Sequence, residues 1–256
     1  MRSSRLFLGI YTVLGYLFLY APLAVVVLFS FNNAKFPSQW VGFTFRWYMQ
    51  LFDDPELWLA VKTSLLVAST AVLLTLGMGL ALMYYAHTRI SKLFILFYAN
   101  ILIPEIVIAV GLLTVFSFCA IPQGIITLIA GHTLLGLGFV VPLLYARYAE
   151  LDPALMQASH DLGATRAQTF FYVTVPLLKP AIIASAFLVL IISLDDFLLA
   201  FFCSGSGVQT LSLYIFSTVR TGISPMINAL STILLFLSGA VVTLLTIFKT
   251  RIVHSL

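Results

Sequence analysis

Long apolar segments recur along this chain and constrain its fold more than any other feature. About 20 consecutive apolar residues cross the hydrocarbon core of a bilayer as a helix. Because 61% of the 256 residues are hydrophobic and only 9% are charged, too little polar surface exists to enclose the apolar segments in a soluble globule. The sequence therefore predicts an all-α membrane protein in which residues 1–256 form a single transmembrane domain. The six predicted spans are about Leu6–Phe31, Trp58–Tyr85, Leu93–Phe118, Gly124–Tyr145, Leu177–Cys203 and Met226–Phe248.

The basic residues predict the orientation of the chain. If both termini are cytoplasmic, nine of the thirteen lysines and arginines lie inside, as expected from the enrichment of these residues in cytoplasmic loops. A basic start before an apolar run is also typical of signal peptides, but this run is too long and lacks a small-residue cleavage site before Pro22. We therefore expect a retained first span. The residues placed inside are Arg2, Arg5, Arg89, Lys92, Arg147, Arg166, Lys179, Lys249 and Arg251, and those placed outside are Lys35, Arg46, Lys62 and Arg220.

Three acidic residues, Glu105, Asp195 and Asp196, lie inside predicted spans. An ionised carboxylate at that depth is costly unless it faces a cavity or a partner. Glu105 follows Pro104 about 18 Å from Leu93 along a helix, which predicts a position near the midplane beside a proline kink. Adjacent helical residues point about 100° apart, so one aspartate is expected to face the pathway, with a slight preference for Asp195, and the other a neighbouring helix or subunit. The pattern predicts a polar path for something cationic, and the alternative for Glu105 is a structural acid.

Two other polar side chains inside the spans have a simpler interpretation. His132 and Asn100 are each surrounded by apolar sequence. Lone polar residues of this kind in membranes commonly form hydrogen bonds between helices. We predict that role for both residues, and a proton carrier remains the alternative for His132.

The longest predicted cytoplasmic loop, about residues 150–176, carries signals for two short helices. An Asp-Pro pair begins the first helix, and a glycine just beyond its end supplies a left-handed stop. A threonine and a glutamine three residues later form a capping box that begins the second helix, which is expected to end before a proline. The loop is therefore predicted to be a compact helix–glycine–helix segment. In chain order the signals are Asp152-Pro153, Asp161-Leu162-Gly163, Thr165 with Gln168, and Pro176.

The same loop resembles the signature of the permease subunits of ABC importers. That signature is Glu-Ala-Ala, three residues, Gly, about nine residues, and an aliphatic residue shortly before Pro. The glycine, the spacing and the proline match, whereas Gln157 replaces the glutamate and Ser159 replaces the second alanine. The salt-bridging role of the family's glutamate is therefore not carried over to Gln157, but the bend is. The matching residues are Gln157-Ala158-Ser159, Gly163 and Val173-Thr174-Val175-Pro176.

The similarity covers nearly the whole chain and is to the spermidine/putrescine permeases of the PotC type. It implies a six-helix permease of the type I ABC importer fold in the bacterial inner membrane. It also implies that the loop couples to an ATPase through Gln157, Ala158, Ser159, Asp161, Gly163 and Pro176. The similar segments are Ser30–Asn33, Trp40–Thr44, Arg46–Tyr48, Pro104–Val107, Asp161–Ala164, Ser193–Asp196, Gly222–Pro225 and Asn228–Leu230.

The partners that the resemblance implies are two ATP-binding subunits, a second related permease and a periplasmic polyamine-binding protein. ATP and Mg are used by the ATP-binding subunits, because this sequence contains no G-x-x-x-x-G-K-[ST] motif with which to hold ATP. Cys119 and Cys203 form no CxxC or cysteine–histidine array, so no metal or other cofactor is expected. The net charge of +4 comes without a basic cluster, which argues against nucleic acid.

Three other functions are considered beside a polyamine permease. An ABC permease for another solute, such as iron or an anion, is the main alternative within the same class, and the three membrane acids argue against an anion. An ion-coupled secondary carrier explains the acids, but such folds usually contain internal repeats, and none is visible. An intramembrane aspartyl protease needs aspartates on two facing helices, whereas Asp195 and Asp196 are neighbours.

Overall fold

The computed structural model describes residues 2–34, 39–86, 90–222 and 225–253, and it is predominantly helical. This confirms the predicted all-α class. A π-helical turn at Phe170–Thr174 joins α8 to α9. The α-helices in the described residues are α1 (Arg2–Ser30), α2 (Arg46–Phe52), α3 (Pro55–Ala86), α4 (Ile90–Leu102), α5 (Glu105–Phe118), α6 (Ile125–Ala149), α7 (Pro153–Asp161), α8 (Arg166–Thr169), α9 (Val175–Asp195), α10 (Leu198–Cys203), α11 (Leu211–Thr221) and α12 (Pro225–Val253).

Four helical segments in the described residues are long and apolar enough to cross a membrane: Gly9–Ser30, Pro55–Tyr85, Ile125–Ala149 and Arg166–Asp195. A fifth is obtained if Leu96–Leu102 and Glu105–Phe118 form one broken span. The described apolar part of α12, Pro225–Ala240, is shorter. The predicted count of six spans therefore stays a prediction, with four or five of the spans supported.

Two of the predicted spans are broken, one at the predicted proline kink and one at Asp196, where the sequence suggested a continuous helix. Between α4 and α5 the chain bends by 114°, because Pro104 restricts the residue before it and cannot donate a backbone hydrogen bond. The straight-helix depth predicted for Glu105 therefore does not apply. The predicted fifth span is interrupted at Asp196, whose backbone is extended with φ −64° and ψ 129°.

The predicted end of the second loop helix before Pro176 is wrong. The helical segment runs without interruption from Arg166 to Asp195, and Pro176 lies in the first turn of α9. A proline removes one hydrogen-bond donor and its ring crowds the preceding turn. The wider π-helical turn immediately before it is a common way for a helix to accommodate such a residue.

Residues 1–57 and 215–256 form one compact unit. In this unit α12 packs against α1 and α2. The connection between α1 and α2 is fixed by Asn32, whose Nδ2 donates to the carbonyl of Gln39 at 2.7 Å and whose Oδ1 accepts from the amide of Val41 at 2.9 Å. The indole Nε1 of Trp47 donates to the carbonyl of Asn32 at 2.7 Å. These bonds satisfy buried polar groups that would otherwise destabilise the unit.

Residues 58–214 form the second compact unit, with α6 at its centre. Helices α4, α5, α9 and α10 all pack against α6. A Cβ atom added to Gly136 would lie 2.7 Å from Thr75 and 3.1 Å from Val189. Glycine at this position of α6 therefore permits the close approach of α3 and α9. The Nδ2 group of Asn100 donates to the carbonyl of Leu134 at 2.8 Å, which confirms the predicted bond between helices.

The end of α10 is held against the start of α6, and this contact yields a stability prediction. Gly205 has φ +67°, and a Cβ atom there would lie 2.5 Å from the backbone oxygen of Gln123. We expect Gly205→Ala to lower the free energy of unfolding by about 1–3 kcal/mol or more, because neither the φ angle nor the neighbouring backbone can adjust without strain. The control is Gly207→Ala, where φ is +101° but no atom lies within 4 Å. Thermal unfolding in detergent should show the larger loss for Gly205→Ala, and equal losses would contradict the steric argument.

Candidate functional site

The break between α4 and α5 presents an acid at the start of a helix. Pro104 precedes α5 with φ −54° and ψ 132°, and Glu105 is the first residue of that helix. Helix N-termini expose unpaired amide groups and carry a partial positive charge. A carboxylate at this place is therefore stabilised without a basic side chain beside it.

The break between α9 and α10 likewise places the carboxylate of Asp196 beside the start of a helix. Its two carboxylate oxygens accept hydrogen bonds from the amides of Leu199 at 3.2 Å and Ala200 at 3.1 Å, at the start of α10. The backbone oxygen of Asp196 also accepts a bond of 2.7 Å from the hydroxyl of Ser212. The residue is only 7% exposed. The side chain of Asp196 thus caps the helix that follows it. This cap explains both why the span is interrupted here and why a carboxylate can be buried.

The two broken helices bring their acids together. The side chain of Glu105 lies beside that of Asp196, and Nε2 of His132 lies 3.5 Å from Oδ2 of Asp196. His132 is 3% exposed, and its Nδ1 has no hydrogen-bond partner among the described residues. Two ionised carboxylates in this arrangement repel each other unless a cation lies beside them. We call Glu105, His132 and Asp196 the acid cluster.

The three predicted pathway residues thus have different positions. Glu105 and Asp196 meet in the acid cluster, whereas Asp195 is exposed as the last residue of α9. The expectation that the two aspartates diverge agrees with this geometry, but the residue beside Glu105 is Asp196 and not Asp195. His132 was predicted to bond between helices, and its contact with Asp196 is such an interaction. Sequence alone gave no reason to group it with the acids.

The loop between α6 and α9 has the predicted helix–glycine–helix form. Asp152 caps α7 by accepting from the amide of Ala154 at 2.9 Å, and Gly163 has φ +85°. Thr165 and Gln168 form the predicted capping box at the start of α8. We call residues 152–169 the coupling loop. Of the predicted coupling residues, Gln157, Ala158, Asp161 and Gly163 are exposed in this loop, Ser159 is half-buried, and Pro176 lies beyond it, exposed in α9.

The coupling loop exposes apolar side chains, and a hydrogen bond holds its two helices together. Leu162 is 89% exposed and Leu155 is also exposed. The hydroxyl groups of Ser159 and Thr169 are 2.9 Å apart and join α7 to α8. Exposed leucines on a rigid segment are typical of a surface that a protein partner covers.

Residues 71–256 match the protein family described as "Binding-protein-dependent transport system inner membrane component". The chain belongs to this family. It is therefore a membrane component of a transport system, not a catalytic subunit, which agrees with the interpretation drawn from the loop and from the missing ATP-binding motif.

Relatives in this transport family are similar along most of their length. The putrescine transport system permease protein PotI of Escherichia coli (strain K12) is 35% identical over 240 residues, which cover 90% of this chain and 85% of PotI. The spermidine/putrescine transport system permease protein PotC of the same strain is 34% identical over 239 residues, covering 92% of this chain and 90% of PotC. PotC of Haemophilus influenzae (strain ATCC 51907 / DSM 11121 / KW20 / Rd) is 33% identical over 246 residues, covering 94% and 96%.

A solved structure shows the same fold. A chain of the crystal structure of a bacterial ABC transporter involved in the import of the acidic polysaccharide alginate matches with a TM-score of 0.68, at 14% identity, over 98% of both chains. At this identity the likeness concerns the fold alone. The overall arrangement of the helices is therefore that of an ABC transporter membrane component.

Proposed function

We propose that this chain is the permease subunit of an ABC importer that moves polyamines such as spermidine and putrescine across the bacterial inner membrane. The observation that carries the proposal is the acid cluster, in a chain that is about a third identical to permeases named for these substrates. Polyamines are flexible chains of ammonium groups, each a strong hydrogen-bond donor. A carboxylate pair can replace the water that an ammonium group loses on entering the membrane.

The acids favour this substrate class over an anionic one. The alginate importer has a similar fold, so the architecture itself does not select the charge of the cargo. Among the described residues, no lysine or arginine forms an ion pair with Glu105 or Asp196, and the ion-pair contact of Asp196 is with His132. An anion would have to pass two carboxylates at close range, which is unfavourable in a medium of low dielectric.

We further propose that the coupling loop receives the ATP-driven movement. The chain would work with two ATP-binding subunits, which use ATP and Mg, and with a second related permease and a periplasmic polyamine-binding protein. Six spans with both termini and the coupling loop in the cytoplasm agree with the distribution of lysine and arginine. The exposed leucines of the loop supply the surface that an ATP-binding subunit would cover.

The complex reconstituted in liposomes tests the proposal directly. Uptake of radiolabelled putrescine and spermidine is measured with ATP inside and the binding protein outside, beside a neutral sugar and an anionic oligosaccharide. We expect ATP-dependent uptake of at least one polyamine and of neither control. Preferential uptake of the anionic sugar would overturn the assignment of substrate while leaving the permease family intact.

The chain is also expected not to work alone. Helix α1 exposes apolar side chains along most of its described length, and an acid cluster in a membrane needs protein or water around it. We therefore predict a heteromeric pair of permeases with the pathway between its members. Purification from a strain that lacks the partner genes should give a protein that neither transports nor hydrolyses ATP. An isolated monomer that transports polyamine would refute this prediction.

A further inference from the structure

Arg166 joins the coupling loop to a distant helix. It is the first residue of α8, and its guanidinium group donates a hydrogen bond of 2.5 Å to the carbonyl of Tyr84. The guanidinium carbon also lies 5.2 Å from the centre of the Tyr84 ring. Tyr84 belongs to the last four residues of α3, whose carbonyl groups have no partner inside the helix. One side chain thus makes both a charged hydrogen bond and a cation–π contact with the end of α3.

The surroundings of this contact are ordered by packing. The Tyr84 ring meets the Phe170 ring edge to face at 5.1 Å, and both Met83 and Phe170 are buried in the same core cluster. Beside the contact is a cavity of about 200 Å³. Its lining residues come from α3, α6, the coupling loop and the π-helical turn: Met83, Tyr84, Tyr148, Met156, His160, Arg166, Thr169, Phe170 and Thr174.

Hydrogen bonds within the coupling loop join α7 to α8. A displacement of α7 therefore also displaces Arg166, the first residue of α8. Besides the bond between Ser159 and Thr169, the ring of His160 is 3.1 Å from the carbonyl of Ala164. The amide of Ala164 donates to the carbonyl of Ser159 at 3.1 Å. The loop therefore resists internal deformation, and its movement reaches α3 at Arg166.

Helix α3 connects the loop with the acid cluster. Ser64, also on α3, accepts a hydrogen bond of 2.8 Å from the amide of Leu211. The adjacent residue, Ser212, holds the backbone oxygen of Asp196 at 2.7 Å. From Tyr84 to Ser64 is 20 residues, or about 30 Å of helix. The other connection between the coupling loop and Asp196 is the continuous backbone of the π-helical turn and α9.

We propose that Arg166 is a positioning residue that delivers movement of the coupling loop to Asp196 through α3, alongside the covalent route through α9. The inference rests on the proposed coupling function. One connection reaches the backbone oxygen of Asp196 through Ser212, and the other is the end of α9. A movement of the coupling loop that travels along both would shift the carboxylate of Asp196 relative to Glu105. With the α3 contact removed, α9 moves alone and ATP hydrolysis is less well converted into transport.

The test uses the whole reconstituted complex and two arginines. Arg166→Gln removes the charged contact, and Arg147→Gln is the matched control because Arg147 forms an exposed ion pair with Glu150 at 2.8 Å, an interaction of small energetic value. The measured quantity is putrescine and spermidine taken up per ATP hydrolysed. We expect Arg166→Gln to lower this ratio about ten-fold, as for the loss of one charged hydrogen bond, and Arg147→Gln to leave it unchanged.

Further variants separate coupling from folding. Arg166→Lys keeps the charge without the planar stacking surface and should recover part of the ratio. Tyr84→Ala keeps the backbone carbonyl but removes the ring, which also packs against Phe170. Added to Arg166→Gln, it should therefore lower the membrane level and change the ratio of uptake to hydrolysis little, since the stacking needs both groups. A structural role alone would lower membrane level, hydrolysis and uptake in proportion and leave the ratio unchanged, which would overturn the proposal.

The proposed function and the role of Arg166 fail in different ways. If the unmodified complex shows no ATP-driven uptake of any of the solutes tested, the proposed coupling function is refuted and the role of Arg166 with it; uptake of another solute instead of polyamine refutes only the proposed substrate. If the unmodified complex is coupled and Arg166→Gln keeps the normal ratio, only the route through α3 is refuted.

Discussion

Neutralising Asp196 is expected to reduce polyamine uptake about ten- to a hundred-fold while leaving the permease in the membrane. One carboxylate contact with a desolvated ammonium group is worth about 1.5–3 kcal/mol. In Asp196→Asn the amide oxygen can keep one of the two hydrogen bonds from the amides of Leu199 and Ala200, and the other is lost because the NH2 group cannot accept it. The variant removes the charge beside Glu105 and keeps the volume of the side chain, so membrane level is measured beside uptake to separate the loss of charge from the loss of this bond. Initial rates of uptake by the reconstituted complex measure the effect.

The neighbouring aspartate supplies a matched control. Asp195 is exposed and lies outside the acid cluster, so Asp195→Asn should be nearly silent, although it removes the same charge one residue away. Glu105→Gln should behave like Asp196→Asn. Because both acids are proposed to serve one ammonium group, the double variant should lose less than the product of the two single effects.

Two results would contradict the proposed role of the acid cluster in binding the passing cation. Unchanged uptake in Glu105→Gln and Asp196→Asn would make these acids structural and move the cation path elsewhere. A large loss in Asp195→Asn alone would indicate that the exposed end of α9, covered by a partner, carries the substrate. Membrane level and ATP hydrolysis without substrate must remain normal in each variant for the comparison.

The local signals of the coupling loop were predictable from sequence because each depends on neighbouring residues. The cap at Asp152, the left-handed turn at Gly163 and the capping box at Thr165 involve partners within a few positions. The failure at Pro176 has a physical reason. A proline that lies in the first turn after a π-helical turn can be accommodated within the helical segment, and the sequence does not distinguish this from a helix end.

The acid cluster was only half predictable. The rarity of acids in membranes identified Glu105 and Asp196, but their meeting depends on where two helices break. An aspartate followed by Phe-Leu-Leu is a helix-start signal, yet it lies in a continuous apolar run that favours one uninterrupted span. His132 joins the acids because of how α6 packs against its neighbours, and that arrangement comes from tertiary contacts.

Replacing Gly163 with valine is expected to uncouple ATP hydrolysis from uptake without removing the permease from the membrane. Gly163 has φ +85°, and its amide donates to the carbonyl of His160 at 2.9 Å. Together with the bond from Ala164 to Ser159, this ends α7 in a Schellman motif. A left-handed backbone costs about 1–2 kcal/mol for an ordinary residue and more for a β-branched one. The turn should therefore re-form in another geometry and displace α7 relative to α8.

The space around Gly163 within this chain favours a test of backbone conformation. An added Cβ atom would meet nothing within 4 Å, so variants with other side chains separate the cost of the φ angle from the effect of added volume against the partner. Gly163→Asn is the matched control, because asparagine tolerates the left-handed region better than other residues with side chains. The expected order of uptake per ATP hydrolysed is glycine, then asparagine, then alanine, with valine lowest.

The readouts identify which step is lost. If the displaced loop no longer fits the ATP-binding subunit, that subunit should co-purify poorly with the valine variant. If the loop still binds but moves wrongly, co-purification stays normal while hydrolysis continues without uptake. Either result supports the loop as the site that receives the power of the ATPase, because Gly163 is far in sequence from the acid cluster and exposed to solvent. Full and coupled uptake by Gly163→Val would mean that the left-handed turn is dispensable and that the ATPase acts through another surface.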